Sequence, residues 1–453
     1  MISRARRAAD RAPSIATRTR RYPSGVELHG DPLAGLTNWA GNHAYGAARI
    51  HEPESIEQLQ EIVRDTRPLR VLGSRHSFND IADTTGHLLS LRLMPRVFDL
   101  DRAAGTLTVD GGVRYGEFAG ALDAAGFALN NLASLPHISV AGACATATHG
   151  SGDRIGNLAT AVSALEVVTA DGERTVFARD RDAESFNGAV VSLGGLGVVT
   201  SLTLDLQPTF RMRQDLYERL PLDRAVGDFD EITASADSVS LFTDWSGPVV
   251  DQVWLKRRVP DGDIFEPPPD FFGATIATVP IHPIRRMPTA ALTEQLGVPG
   301  PWHERLPHFR MDHMPSSGAE LQTEYLIPRQ HAPAALLAID AIRDRFSSVL
   351  QISEVRTTAP DDLWMSTAFG RASVAIHFTW QPDWGAVRRV LPDIETALAP
   401  FDPRPHWGKV FTMAPETVRS SYDKLPQFAA LLEGHDPTGK FRNAFLSRYI
   451  FAD

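Results

Sequence analysis

The sequence predicts an α+β protein of two domains rather than a doubly wound parallel sheet. Three observations lead there. At 453 residues the chain is longer than one hydrophobic core usually serves, since single cores stop growing at roughly 250–300 residues. Strand-like and helix-like segments are mixed along it without strict strand–helix–strand alternation. Near residue 209 the character also changes, from short segments joined by glycine turns to strands and helices separated by proline-rich, aromatic loops at 265–269, 280–288 and 299–307.

Composition narrows the class further. Hydrophobic residues make up 43% and charged residues 22%, which suits a folded globular chain. No apolar run approaches the roughly 18–20 residues that span a bilayer, so no membrane partner is expected. The one cysteine, Cys144, excludes an internal disulfide framework and a cysteine-rich zinc site; no metal is expected and a reducing compartment fits. A formal net charge of -10 argues against nucleic acid, which demands concentrated positive charge. The basic exception is the start of the chain, with Arg4, Arg6, Arg7, Arg11, Arg18, Arg20 and Arg21. A twin-arginine export signal needs an apolar stretch after the pair, and Ala8 to Ser14 is too polar. Residues 1–35 therefore read as a disordered basic extension, and the expected location is the cytoplasm.

The elements follow in order. Structure begins near Thr37 to Asn42. Ser55 with Gln58 three residues later signals a capped helix that must stop before Pro68. Arg70-Val71-Leu72 is a short apolar strand running into Gly73-Ser74-Arg75-His76-Ser77. Thr106 to Val109 alternates as a half-buried strand, and Glu117 to Ala125 reads as a helix stopped by Gly126. Leu165 to Thr169 and Arg174 to Phe177 flank an Asp171-Gly172 turn, a hairpin signal. Gly194 to Gly197 feeds a strand ending near Pro208. Further strands are expected at Ser238 to Trp245, Val253 to Arg258, Leu321 to Leu326, Leu350 to Arg356 and Ser373 to Trp380, with helices at Ala332 to Arg345 and Trp384 to Leu398.

Chemistry has fewer pointers. Neither a Rossmann fingerprint nor a Walker A motif is present. The turn at 73–77, the small-residue run Gly142 to Gly152 and Gly194-Gly195-Leu196-Gly197 each let backbone approach a bulky anionic cofactor closely; alternatively they are tight turns in a packed sheet. His76, by residue type alone, reads as a hydrogen-bonding loop histidine. Glu354 and Arg356 sit two apart on one strand face, as do His377 and Thr379. By themselves the first two read as an ordinary ion pair.

Longer motifs change the weight of these readings. Gly73 to Asn79 (GSRHSFN), Asn131 to Gly142 (NLASLPHISVAG), Phe242 to Trp245 (FTDW), Gly297 to Arg305 (GVPGPWHER) and Pro405 to Phe411 (PHWGKVF) resemble, in order, the bacterial alditol oxidases. These are vanillyl-alcohol-oxidase-type flavoproteins, with aldonolactone oxidases as cousins. The resemblance runs from about Asn38 to near the C-terminus. It implies a two-domain, PCMH-type FAD-binding fold with a substrate-binding cap on an antiparallel sheet. The implied division is an FAD domain at 36–208, the cap at 209–409 and a segment 410–453, including Asp436 to Asn443, that returns to the FAD domain.

The resemblance also implies the site. His76 bears the flavin covalently through the 8α carbon. Gly73, Ser74, Arg75, Ser77, Ser134, Ser139, Gly142, Thr146, His149, Gly150, Gly197, Val199, His406 and Lys409 fall at cofactor-binding positions, and Ala133 near the oxygen approach. Lys409, Arg356 and Glu354 are the implied catalytic residues, and Ser134, Gln322, Thr379 and His377 the substrate-binding ones. Such a set suits a polyol, whose hydroxyls each donate and accept. The expected reaction is oxidation of the terminal primary hydroxyl of an alditol such as xylitol or sorbitol, by hydride transfer to flavin N5, with O2 reduced to H2O2. Arg356 and Lys409 stabilise charge on the substrate oxygen, Lys409 with its pKa depressed also helps the proton leave, and His377 supports from behind. The alternatives are an aldonolactone oxidase or dehydrogenase of the same fold, or a non-catalytic flavin- or carbohydrate-binding protein. A monomer with no macromolecular partner is expected. Arg75 and Asp153 depart from the family pattern beside the cofactor loops.

Overall fold

The structure is a computed structural model that describes residues 35–260, 262, 265–313 and 319–451; nearly all of the basic extension expected at 1–35 lies outside the described residues. Three larger sheets organise the described residues, beside a two-stranded pairing of Phe127–Ala128 with Gln207–Pro208. A small parallel sheet pairs Arg49–His51, His87–Leu89 and Leu69–Val71 in that order. The helix Ile56–Asp65 covers it, capped as expected by Ser55, whose side chain accepts from the Gln58 N–H. Its buried Leu59 and Val63 pack with Leu69, Leu89 and Phe441. A five-stranded antiparallel sheet follows, ordered Phe98–Asp101, Thr106–Asp110, Val198–Asp205, Val162–Val168 and Arg174–Ala178. The Asp171-Gly172 hairpin joins its last two strands, with Gly172 at φ +81° where a side chain would be strained.

The third sheet has ten strands, and its described pairings are all antiparallel. Its centre is Leu350–Thr358, Ser373–Trp380 and Leu321–Pro328 side by side. The helices Ala332–Asp340 and Trp384–Leu398 cover one face. Leu336, Ile339, Leu391 and Ile394 share a core there with Tyr325, Val355, Ile376 and Phe378. Because side chains alternate along a strand, the residues between these face the other way, toward the first two sheets. Those include Gln322, Glu324, Glu354, Arg356, His377 and Thr379, which is how the second half of the chain presents polar groups to the first.

Mixed helices and antiparallel sheets bear out the α+β expectation, with three local differences. The expected helix Ala332 to Arg345 ends at Asp340, and a 3-10 turn spans Arg343–Arg345. The small-residue run contains a short helix, Val140–Ala145. Eleven residues, Arg211–Pro221, form a long strand against Val249–Val259 that the sequence reading did not foresee. Its Arg211, Arg213, Asp215, Glu218 and Arg219 hide the apolar alternation of a strand. Backbone bonds knit the halves: Gly152 N–H donates to Thr357 O at 2.9 Å and Ala359 N–H to Ile155 O at 2.9 Å.

Candidate active site

The strand Leu69–Val71 delivers the chain into the turn at 73–77. Arg75 holds φ +62°, uncommon for a residue with a side chain. It is fixed there by Trp39 N–H donating to its carbonyl at 2.8 Å, and its own guanidinium reaches Thr37 O at 3.1 Å. Trp39 stacks on the His76 ring with centroids 5.4 Å apart. Burial pushes the His76 imidazole down to about 3, assisted by His137 and Arg114, so the ring is neutral at ordinary pH.

This turn is tied directly to the segment carrying Lys409. Phe78 N–H donates to Gly408 O at 2.7 Å, and the Asn79 amide donates to Trp407 O at 2.8 Å and to Lys409 O at 2.7 Å. The Lys409 ammonium lies 5.1 Å from the centroid of the Phe78 ring and donates to Gln322 Oε1. Burial lowers its pKa from the ordinary lysine value; Glu324 opposes that shift and Arg356 adds to it.

Above the turn, the polar face of the large sheet aligns in register. Glu324 pairs with His377, His377 with Glu354 and Glu354 with Phe242; one row over, Gln322 and Ile352 flank Thr379. Arg356 NH2 lies 3.6 Å from Glu324 Oε1, its Nε 3.4 Å from Glu354 Oε1, and its NH1 donates to Ser134 Oγ at 3.3 Å. Burial works against charge on Glu354, yet Arg356 and His308 outweigh it and hold the carboxyl far below its usual range. Glu324 behaves likewise through His149, whose Nε2 is 3.1 Å away. Burial drives His377 and His406 down to about 3. His406 Nδ1 accepts the Gly408 N–H at 3.1 Å, which leaves the ring proton on Nε2.

Both sets of residues line one cleft, whose empty space, open solvent at its mouth included, is about 1770 Å³. It brings together Gly73, Ser74, Arg75, His76, Ser77, Ala133, Ser134, Ser139, Gly142, Thr146 and His149 with Gln322, Glu354, Arg356, His377, Thr379, His406 and Lys409. A second space shares Gly73, Ser74, Ser139, Gly142 and Gly194 with it and is lined also by Gly197, Val199, Arg92, Arg96 and Arg114. Glycines line both spaces, and Arg92, Arg96 and Arg114 line the second. That lining suits a flavin dinucleotide, whose phosphates would be held by backbone N–H groups and arginines. Two buried polar atoms on its wall, His76 Nδ1 and Ser139 Oγ, have no hydrogen-bond partner among the described residues. A Cβ on Gly142 would approach Ser139 Oγ to 2.8 Å, so a side chain there would crowd the same wall. The residues present therefore fit FAD.

Some expected residues stand elsewhere. Gly150 lines neither space; it is glycine because a Cβ would meet Asn131 Oδ1 at 2.2 Å and Leu132 O at 2.6 Å. Gly197 lines the second space, but its φ of +145° and the Val168 carbonyl 2.4 Å from a hypothetical Cβ already require glycine. Asp153 adds no free charge to the cofactor loop, since Arg329 NH1 sits 2.6 Å from its Oδ1. Three residues of the cavity wall, Glu320, Glu324 and His308, and Lys256 behind His308, escaped the sequence reading. Glu320 and Glu324 flank Gln322 at the same two-residue spacing, so alternation alone was a usable signal. Lys256 and His308 carried none.

A flavin cleft roofed by a polar antiparallel sheet defines a flavin-dependent oxidoreductase. The family comparisons agree. Residues 47–177 match the FAD binding domain family and residues 314–449 match the D-arabinono-1,4-lactone oxidase family. An alditol oxidase from a Streptomyces species is 52% identical over 414 residues, 91% of this chain and 98% of its own length. The L-gulono-1,4-lactone dehydrogenase of Mycobacterium tuberculosis is 29% identical, covering 91% of this chain and 98% of that protein. The L-gulonolactone oxidase of Bos taurus is 25% identical, covering 94% and 100%. Among solved structures, a solvent-stable cholesterol oxidase superposes with a TM-score of 0.74 at 13% identity, over 91% of this chain and 97% of that one, a likeness of fold. The chain belongs to the alditol oxidase family of FAD-dependent oxidoreductases.

Proposed function

We propose that the protein oxidises the terminal primary hydroxyl of an alditol to the aldose, using FAD tethered covalently through His76. The observation that carries this is the in-register row Glu324, His377 and Glu354, with Arg356, Thr379, Gln322 and Lys409 beside it, facing the cavity that His76 enters. A run of donors and acceptors at strand spacing matches the run of hydroxyls on a polyol. Bound in the cleft, FAD supplies the acceptor for a hydride from the carbinol carbon, and O2 takes the electrons onward to give H2O2.

The chain's own residues do the rest. Arg356 binds the reacting hydroxyl oxygen and stabilises negative charge on it. Lys409, its pKa depressed by burial, takes the hydroxyl proton at Nζ. Glu354 accepts from one neighbouring hydroxyl and the Gln322 amide donates to another, and Ser134 and Thr379 complete the lining. His377, neutral and buried between two carboxylates, holds their spacing. A neutral His76 is the form able to bond to the flavin. Residues 36–208 with 410–453 would then hold the cofactor, and 209–409 the substrate. The enzyme is further proposed to act as a cytoplasmic monomer; the buried thiol of Cys144 is consistent with a disulfide-free setting.

Two assays test this together. Acid-precipitated protein should keep its yellow colour in the pellet; colour released to the supernatant refutes the His76 bond. Peroxide should appear with xylitol or sorbitol faster than with gulonolactone, and the reverse order would make the protein a lactone oxidase.

A further inference from the structure

Lys256 and His308 lie outside the machinery assigned above, on the strand Val249–Val259 and in the loop after Pro307. Lys256 is 1% exposed and His308 6%. A lysine ammonium has three donors, and Lys256 Nζ has three acceptors: Leu306 O at 2.6 Å, Pro307 O at 3.1 Å and His308 Nδ1 at 3.0 Å. The other ring nitrogen, Nε2, stands 2.8 Å from Glu354 Oε1. Edge-on packing by Trp254 (centroids 5.0 Å) and Phe242 (5.7 Å) fixes the ring plane between them.

The geometry points to Lys256 and His308 as positioning residues that deliver a permanent N–H to Glu354 and thereby dedicate its other oxygen to the substrate. If the shared proton sits on Lys256, Nδ1 accepts from it and the ring proton must lie on Nε2, aimed at Glu354. If it sits on His308, both ring nitrogens carry hydrogen, Nδ1–H donates to the amine, and Nε2–H still faces Glu354. The pair therefore presents a donor in either state, and its single positive charge balances the buried carboxylate. Burial lowers both groups, His308 to about 4, and the Glu354 carboxylate opposes the shift in each. With Oε1 taken by His308 and neighboured by Arg356 Nε, Oε2 is left with no partner among the described residues. An ionised carboxylate can only accept, so this position demands a hydroxyl donor from the substrate. His308 on the cavity wall and Lys256 behind it thus set specificity through Glu354.

The inference rests on the alditol reading of the cavity, and the test separates the two. Lys256→Met removes the donor and lets the ring turn its lone pair toward Glu354. We expect kcat/KM for xylitol to fall at least about tenfold, mainly through KM, as when a buried acceptor loses its partner. In the Glu354→Gln background the same change should cost less than about twofold, because a double-mutant cycle cancels an effect transmitted through Glu354. Should Lys256→Met fail to fold, His308→Leu takes its place in the cycle, and His308→Gln, which keeps both a donor and an acceptor, should restore most of the loss. An unchanged kcat/KM in the single variants, or an equal loss in both backgrounds, overturns the role. A wild type inert toward every polyol would instead sink the alditol reading, and the inference with it.

Discussion

In the proposed reaction Lys409 and Arg356 face one substrate oxygen, and their chemistry differs. Arginine stays charged and can only donate; a lysine lowered by burial can also accept. Lys409→Ala should therefore lose about 100-fold or more in kcat while staying loaded with flavin. Lys409→Arg should be almost as poor, because it keeps the charge and loses the base. Near-normal turnover in Lys409→Arg would assign the lysine a purely electrostatic role. The sign with pH follows from the same shift. Activity should rise with pH as Lys409 deprotonates, at a pH below that of an ordinary lysine, and this limb should vanish in Lys409→Arg. His377 and His406, pushed down to about 3, stay neutral throughout and should add no inflection near 6.5. A steady-state profile from pH 5 to 10 checks both statements.

At the scale of elements, alternation on adjacent strands makes the site, and alternation is what a sequence shows best. Glu354 and Arg356 on one strand, His377 and Thr379 on the next, were legible as pairs sharing a face. The Ser55–Gln58 cap and the Asp171-Gly172 hairpin were legible because they are local chemistry. Glu324 was passed over although it repeats the spacing of Gln322. The Lys256–His308 pair was not legible at all, since 52 backbone steps separate a strand residue from a loop histidine and only the folded sheet brings them together. The helix Val140–Ala145 was missed because small residues give no clear period. One joint between elements carries a pH prediction. Asp361, in the turn after Leu350–Thr358, accepts from Asn157 at 2.8 Å and Ser366 at 2.6 Å, and burial raises its pKa to about 6 from the ordinary 3.8. A raised carboxyl stabilises the fold below its unfolded pKa, and that contribution is lost as pH climbs through about 6. The loss is about 3 kcal/mol, at 1.36 kcal/mol per unit. Thermal melts of wild type should therefore fall more steeply between pH 4.5 and 7 than those of Asp361→Asn; parallel curves would discount the coupling.

Across the whole molecule, the two ends of the described chain close on each other. Leu69 N–H donates to Lys440 O at 2.9 Å, and Lys440 Nζ donates to the carbonyls of Val63, Arg64 and Ala170. Arg70 reaches Gly194 O and Phe441 O at 2.8 Å each, and Asn443 caps three carbonyls at Asp80, Ile81 and Asp83. The last residues thus brace the strand that leads to His76. Lys440→Met should cost about 3 kcal/mol, the order expected when three buried carbonyls lose their donor. It should also lower the melting temperature and the flavin content together; a stable variant with full flavin would show that the brace is dispensable.

The measurement that bears most directly on the whole assignment is anaerobic mixing of the purified holoprotein with xylitol, followed by its flavin absorbance. Bleaching of the oxidised flavin band by xylitol, faster than by gulonolactone, with the colour and one equivalent of H2O2 returning when O2 is admitted, is the expected result. A flavin band unmoved by any polyol, in protein fully loaded with FAD, would contradict it.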